Sequence, residues 1–93
     1  MAALDFVFTL HLSADGGLDE TRMLNDLTTM VLSHAGYAER STAAVVAELD
    51  AGIAAGRTSG VGCDVEFRAH AGEIAIVVSQ GSRTIYRTSR RLP

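Results

Sequence analysis

The chain has 93 residues, of which 47% are hydrophobic and 20% charged, and its formal net charge at pH 7 is −3. This composition predicts a single globular domain and argues against a disordered chain. A single cysteine excludes an intrachain disulfide, and no apolar run approaches the roughly 20 residues of a membrane helix. We therefore expect one cytoplasmic domain spanning residues 1–93, with no membrane contact.

Strict alternation of apolar and polar residues over 6–12, FVFTLHL, predicts a half-buried strand. Turn residues follow at 13–17. An apolar repeat at three- and four-residue steps then predicts an amphipathic helix over 18–36, capped by Asp19 and closed by Gly36. The predicted core stripe of this helix contains Leu24, Leu27, Val31 and Ala35, broadened by Met23 and Met30.

A second helix is predicted to start with Ser41 or Thr42 as its N-cap and to run to about Arg57. It is apolar on most faces, so we expect it to be deeply buried. A glycine-containing connection at 58–62 follows. Three strands are predicted after it, at 63–70, 73–79 and 84–89, joined by turns at 71–72 and 80–83.

The predicted order is β-α-α-β-β-β. It indicates an α+β two-layer sandwich, with both helices packed on one face of a mostly antiparallel sheet. If the first strand lies at a sheet edge, it is open to pairing with another chain, for example in a symmetric homodimer. The other sheet face is predicted to carry a mixture of side chains suited to solvent or a partner: Val7, Thr9, His11, Asp64, Glu66, Arg68 and Val77.

The charges are unevenly distributed along the chain. Residues 1–50 contain eight acidic residues and two arginines, whereas residues 51–93 contain three acidic residues and six arginines. The simplest interpretation of the arginines near the end of the chain is a solvated tail. Because arginine suits planar contacts with carboxylates, an acidic protein surface is the alternative, as a candidate partner. The sequence pI of about 5.4 argues against a nucleic-acid binder. The candidate partner-binding residues are Arg83, Arg87, Arg90, Arg91 and His11.

The layout from Phe6 to Ser82 resembles the anti-sigma-factor serine kinase branch of the histidine-kinase-like ATPase superfamily. The segments that carry the resemblance are LDFVFTLHL, DETRMLNDLTTMVLSHAG, YAERST, AVVAELDAGIAAG, RTSGVG and CDVEFRAHAGEIAIVVSQGS. In order, they resemble a first strand, an amphipathic helix, a short connector, an E-x-x-x-N-A-x-x-H type helix, a glycine-containing loop and a hairpin ending in a V-x-D-x-G type motif. The resemblance implies the ATPase scaffold.

The residues that bind nucleotide and metal in the resembled family are mostly different here. Glu48 matches the family's helix glutamate and is a relic candidate for a catalytic residue. Gly52 stands where the family has its Mg²⁺-binding asparagine, and Gly56 where it often has histidine. Gln80 replaces the adenine-binding aspartate, and Ser82 the glycine after it. Eleven residues follow Ser82, and we expect them to be too few to form the family's lid.

The resemblance therefore implies a scaffold without catalysis, cofactor or metal, used as a regulatory module that binds another protein. The alternative is a nucleotide-binding protein or serine kinase with residual ATP binding, which would use Glu48 and the loops 57–62 and 80–83. A structural assembly subunit using the bare sheet face is a third hypothesis.

His11, His34 and His70 lack the spacing of a metal site, and Cys63 is predicted to lie in the core.

Overall fold

A computed structural model describes residues 5–13, 17–57 and 60–93. The elements follow the predicted β-α-α-β-β-β order of an α+β fold: β1 (Phe6–Leu12), α1 (Gly17–His34), α2 (Glu39–Arg57), β2 (Cys63–His70), β3 (Glu73–Gln80) and β4 (Arg83–Arg91). The predicted turn at 13–17 and connection at 58–62 lie partly outside the described residues. No helix in the described part of the chain is long and apolar enough to cross a membrane.

The four strands form one antiparallel sheet in the order β1-β2-β3-β4, which places β1 and β4 at its two edges. The tight turn predicted at 71–72 is present. Ala71 has φ +53° and Gly72 has φ +80°, as a two-residue turn of type I′ requires. This turn joins β2 to β3 in register.

The buried core contains residues of both helices together with alternate residues of the strands, and we call the side of the sheet on which these strand residues lie the core face. As predicted, alternate residues of β2 and β3 are buried, Cys63 among them at 5% exposure. Burying one such large aliphatic side chain contributes about 1.5–3 kcal/mol. The buried cluster contains Leu12 of β1, Leu24 and Leu32 of α1, Val45, Leu49 and Ile53 of α2, Cys63, Val65, Phe67 and Ala69 of β2, and Ile74, Ile76 and Val78 of β3.

The fully buried stripe of helix α1 is shifted from the predicted one, since Leu27, Val31 and Ala35 are only partly buried. Its fully buried residues are Leu24, Thr28 and Leu32, at four-residue steps, and the Thr28 hydroxyl donates to the Leu24 carbonyl at 2.8 Å. Met23 and Met30 lie off this stripe and are 51% and 67% exposed. The prediction that they fill the core was therefore wrong, because each is rotated by about 100° or more from the buried row.

The ends of α1 are defined by identifiable contacts. The helix begins at Gly17, so Asp19 lies in its first turn rather than at the predicted cap. Glu20 accepts hydrogen bonds from the Ser13 backbone amide at 2.9 Å and from the Ser13 hydroxyl at 2.8 Å, which joins the end of β1 to the start of α1. Gly36 closes the helix as predicted, with φ +99°, the left-handed conformation that favours glycine after a helix.

Helix α2 differs from the prediction at its start and in its burial. It begins at Glu39, and the Thr42 amide already donates to the Ala38 carbonyl at 3.0 Å. Neither Ser41 nor Thr42 is therefore its N-cap. Much of its apolar surface is exposed, because many of its apolar residues are alanines on the side away from the core. The buried residues form one stripe at three- and four-residue steps: Thr42, Val45, Leu49, Ile53 and Gly56.

A β-bulge interrupts the pairing of β3 with β4. Val78 pairs with Tyr86, whereas Ser79 pairs with Thr84, so Ile85 is an additional residue in β4. As a result, two consecutive residues of β4, Ile85 and Tyr86, both pack against the core cluster. A regular strand would direct one of them to the opposite face.

Candidate functional site

Glu48, the relic candidate, lies on α2 and contacts β4. Its carboxylate accepts hydrogen bonds from the Tyr86 hydroxyl and from the Arg90 guanidinium, each at 3.4 Å, and its side chain is 52% exposed. Partial burial, and then the negative charge of Glu48, raise the pKa of Tyr86. Glu48 is thus the arginine-paired carboxylate of a helix–strand contact, and exposed pairs of this kind contribute about 0–1 kcal/mol.

Gly52 and Gly56 lie where α2 comes closest to β4. A Cβ atom on Gly52 would lie 2.9 Å from Cβ and 3.1 Å from Cγ of Tyr86, and a Cβ atom on Gly56 would overlap Cδ1 of Ile85. The two glycines are four residues apart and so share one face of the helix. That face is filled by the two bulge-associated side chains of β4, which leaves no room for a ligand at these two positions.

Gln80 has a capping role. Its side-chain amide donates to the Gly56 carbonyl at 2.8 Å and to the Val61 carbonyl at 3.0 Å. Carbonyls in the last turn of a helix have no intrahelical partner, so a side-chain donor satisfies one of them here. Gln80 therefore ties the end of α2 to β3 and to the following connection. Ser82 is exposed in the β3–β4 turn.

The carboxylate nearest to Glu48 along the chain is that of Asp50. Asp50 lies two residues further along α2 and faces a different side of the helix, so the two carboxylates do not form a pair. Within residues 5–13, 17–57 and 60–93, no group of three or more His, Cys, Asp or Glu could hold a metal ion. The contacts described above are an ion pair and a hydrogen bond for Glu48, close packing for Gly52 and Gly56, and capping for Gln80.

The four candidate arginines of β4 are divided between the two sheet faces, because paired residues of an antiparallel ladder share a face. Arg90 pairs with the buried Ile74 and reaches α2, so it lies on the core face. Arg87 and Arg91 lie on the opposite face, which we call the open face. Arg83 pairs with Gln80 next to the turn. The predicted arginine group is therefore not one continuous surface.

The open face is polar and mixed in charge near β1 and β2. His11 and Asp64 are cross-strand partners, with 2.8 Å between Nδ1 and Oδ1, and Arg68 lies 3.4 Å from Glu66. His11 is thus already paired within the chain. The rows across the sheet from β1 to β4 are Val7–Arg68–Ala75–Ser89, Thr9–Glu66–Val77–Arg87 and His11–Asp64–Ser79–Thr84.

An apolar groove of about 420 Å³ borders the edge strand β1 on the core face, and we call it the β1 groove. It is formed between β1 and α1. The exposed Met30, which sequence reasoning assigned to the core, is part of its wall. An exposed edge strand next to an apolar groove is a feature of protein-binding surfaces. The lining residues are Phe6, Phe8, Leu27, Met30, Val31 and His34.

A second, more polar groove of about 630 Å³ lies between α1 and α2. Its walls include small residues such as Thr29, Ala43 and Ala47, with Glu39 and Asp50 as its carboxylates. Tyr37 also lines it, but its hydroxyl donates to the Arg91 carbonyl at 2.7 Å. This contact holds the end of β4 against the α1–α2 connection, and burial raises the pKa of Tyr37.

Sequence reasoning missed Tyr86, Ile85 and Tyr37 as the residues that organise this region. The signal for the first two was the spacing of Gly52 and Gly56, which marks a helix face that another element approaches closely.

No protein-family model, curated protein or solved structure matches this chain.

Proposed function

We propose that the protein is a small regulatory module that binds another protein, built on a kinase-like ATPase scaffold that no longer binds nucleotide. One observation carries the proposal: the α2 face at Gly52 and Gly56 is packed against Tyr86 and Ile85. In the resembled family these positions serve the metal and its surroundings. Here a single methyl group would already collide with β4.

The charges near α2 also disfavour a bound triphosphate. Glu48 is a carboxylate, and its cationic partner Arg90 is engaged with it. A triphosphate that binds in this region without a metal loses its hydration, and few favourable electrostatic contacts offset that cost. By contrast, the β1 groove and the adjoining strand edge present apolar surface and backbone hydrogen-bonding groups, which are suited to another polypeptide.

The chain's other features support the same class of function. Its single cysteine, Cys63, is buried and forms no disulfide, which fits a reducing cytoplasm. Arg87 and Arg91 on the open face supply positive charge for an acidic region of a partner. We therefore place the protein in the cytoplasm, in a regulatory complex with at least one other polypeptide chain.

Thermal unfolding with and without Mg²⁺ and ATP, ADP or GTP tests the loss of nucleotide binding. We expect no rise in the melting temperature. A nucleotide present at 100 times its Kd would stabilise the fold by about 2.7 kcal/mol, which is about 10 °C or more for a chain of this size. A saturable rise of that kind, or transfer of phosphate to a serine, would instead favour the alternative of a nucleotide-binding protein or serine kinase.

Protein binding is tested by substitution within the β1 groove. Met30→Glu places a charge on a 67% exposed apolar side chain, so it should abolish association while preserving the fold. Ala44→Glu, on the exposed side of α2, is the matched control. Cross-linking in the native host should give protein complexes with the wild type and the control, and not with Met30→Glu. Equal complexes for all three, or none for any, would contradict the proposal.

A further inference from the structure

The two edges of the sheet differ in how they are protected from pairing. Natural sheets protect their edges with charged side chains and bulges. β4 has both, since it contains the bulge at Ile85 and begins and ends with arginine. β1 has neither: it pairs with β2 in unbroken register over Phe6–Leu12 and carries no acidic or arginine residue. Of the two edge strands, β1 is therefore the one at which a strand of another chain can pair.

Exposed apolar surface is also concentrated at this edge. The two most exposed large hydrophobic residues among those described are Met30, at 67%, and Val7, at 59%. Met30 lies on the core-face side of β1, in the β1 groove, and Val7 lies on the open face of β1 itself. Exposed apolar side chains thus lie beside the free edge of β1 on both faces of the sheet, which is the arrangement expected if a further strand covers this edge.

The core face of β1 is apolar on both sides of its central residue, Thr9. In FVFTLHL, the core-face positions 6, 8, 10 and 12 are all apolar, and the open-face positions are Val7, Thr9 and His11. An antiparallel pair of two β1 strands centred on Thr9 places Phe6 opposite Leu12 and Phe8 opposite Leu10 of the second copy. On the open face it places Val7 opposite His11, so no acidic or arginine side chains of like charge face each other.

We infer that β1 pairs with β1 of a second copy of this chain about a two-fold axis at Thr9, which joins the two sheets into one sheet of eight strands. This inference rests on the proposed function and names the partner. Each β1 groove then lies beside the other copy's strand, where Met30 becomes covered. The opposite pairing, β4 with β4, would bring like-charged arginines together and is disfavoured.

A charge at the two-fold axis tests the inference. Thr9 is exposed and pairs with Glu66, so Thr9→Lys is compatible with the fold of one chain but sets two lysines against each other in the dimer. Ser89→Lys, on the exposed open face of β4, is the matched control. Light scattering over a concentration series should give twice the 9.8 kDa chain mass for the wild type and the control. Thr9→Lys should weaken the dimer at least about tenfold.

Cysteine substitution tests the register. Directly opposed residues of an antiparallel pair have Cα atoms about 4.5–5.5 Å apart, within reach of a disulfide. Thr9→Cys should therefore oxidise to a covalent dimer, whereas Val7→Cys, opposite His11, should not. Cys63 is only 5% exposed and is common to both variants.

Several results would overturn the inference. Each of these three is sufficient: the wild type stays monomeric throughout the concentration series, the dimer is unaffected by Thr9→Lys, or Val7→Cys forms a covalent dimer and Thr9→Cys does not. A monomeric wild type that still forms complexes dependent on Met30 in the host would refute self-pairing and leave the proposed function intact. If neither association occurs, both the inference and the proposed function fail.

Discussion

Replacement of Gly52 by alanine tests whether α2 and β4 are as closely packed as the structure indicates. In an unconstrained helix interior, alanine is favoured over glycine by about 1 kcal/mol. Propensity alone therefore predicts that Gly52→Ala stabilises the protein. The structure predicts the opposite sign, because the new methyl group would lie 2.9 Å from Cβ and 3.1 Å from Cγ of Tyr86.

The magnitude follows from these distances. Carbon atoms prefer separations of about 3.5–4.0 Å, so the methyl group would lie well inside the repulsive range of two atoms. The Cβ atom of Tyr86 is attached directly to the β4 backbone and cannot rotate away. Overpacking of this kind costs about 1–3 kcal/mol. After subtraction of the helix-propensity gain, we expect a net loss of about 1 kcal/mol and a melting temperature lower by about 4–8 °C.

Urea unfolding followed by far-ultraviolet circular dichroism measures this loss. Gly56→Ala is the matched comparison, and we expect it to cost less because its nearest contact, Cδ1 of Ile85, is the end of a side chain that can change rotamer. Ala51→Gly, on the exposed side of α2, should lose about 1 kcal/mol through helix propensity alone. A Gly52→Ala protein more stable than the wild type would refute the close approach of α2 and β4.

Two further predictions concern Gln80 and Tyr86. Gln80→Ala removes the hydrogen bonds from the side-chain amide to the Gly56 and Val61 carbonyls and should destabilise the fold by about 1–2 kcal/mol in the same assay. Gln80→Glu keeps the shape but lacks the donors, so a Gln80→Glu protein as stable as the wild type would exclude the capping role. Tyr86 should titrate above its ordinary value of about 10 in an ultraviolet pH titration, because burial and Glu48 raise its pKa. The stabilisation that accompanies the raised pKa of Tyr86 is then complete below pH 10 and is lost as the pH rises through the folded-state pKa. Glu48→Gln should bring the pKa of Tyr86 closer to its ordinary value. An unchanged pKa of Tyr86 in this variant would show that the negative charge of Glu48 is not a cause of the shift.

The strands were the elements most accurately predicted from sequence, because a period of two in hydrophobicity is directly visible when one face of a strand is buried. β1 and β2 have the predicted bounds, and β3 extends one residue further. β4 was predicted over 84–89 but extends over Arg83–Arg91. Its pattern is less regular because the bulge shifts the alternation at Ile85.

The helix errors have a different origin. The number of apolar residues in α2 suggested deep burial, but alanine has little side-chain surface and is compatible with an exposed helix face. Met30 follows the apolar spacing of α1, yet that spacing does not reveal that the groove beside it is left open by the edge position of β1. Burial depends on which elements lie next to a residue, and a single sequence does not specify those neighbours.

The sequence by itself determined the order of the elements, the α+β class and the inward-facing residues of β2 and β3, because these depend on local periodicity and turn chemistry. It also identified Glu48, Gly52, Gly56 and Gln80 as unusual positions. Only the tertiary structure decided what they do, since their roles depend on elements that are distant along the chain. Glu48, Gly52 and Gly56 of α2 contact β4, and Gln80 of β3 contacts the end of α2. Long-range packing places Tyr86 and Ile85 against the glycines and leaves β1 as the edge that a second chain can cover.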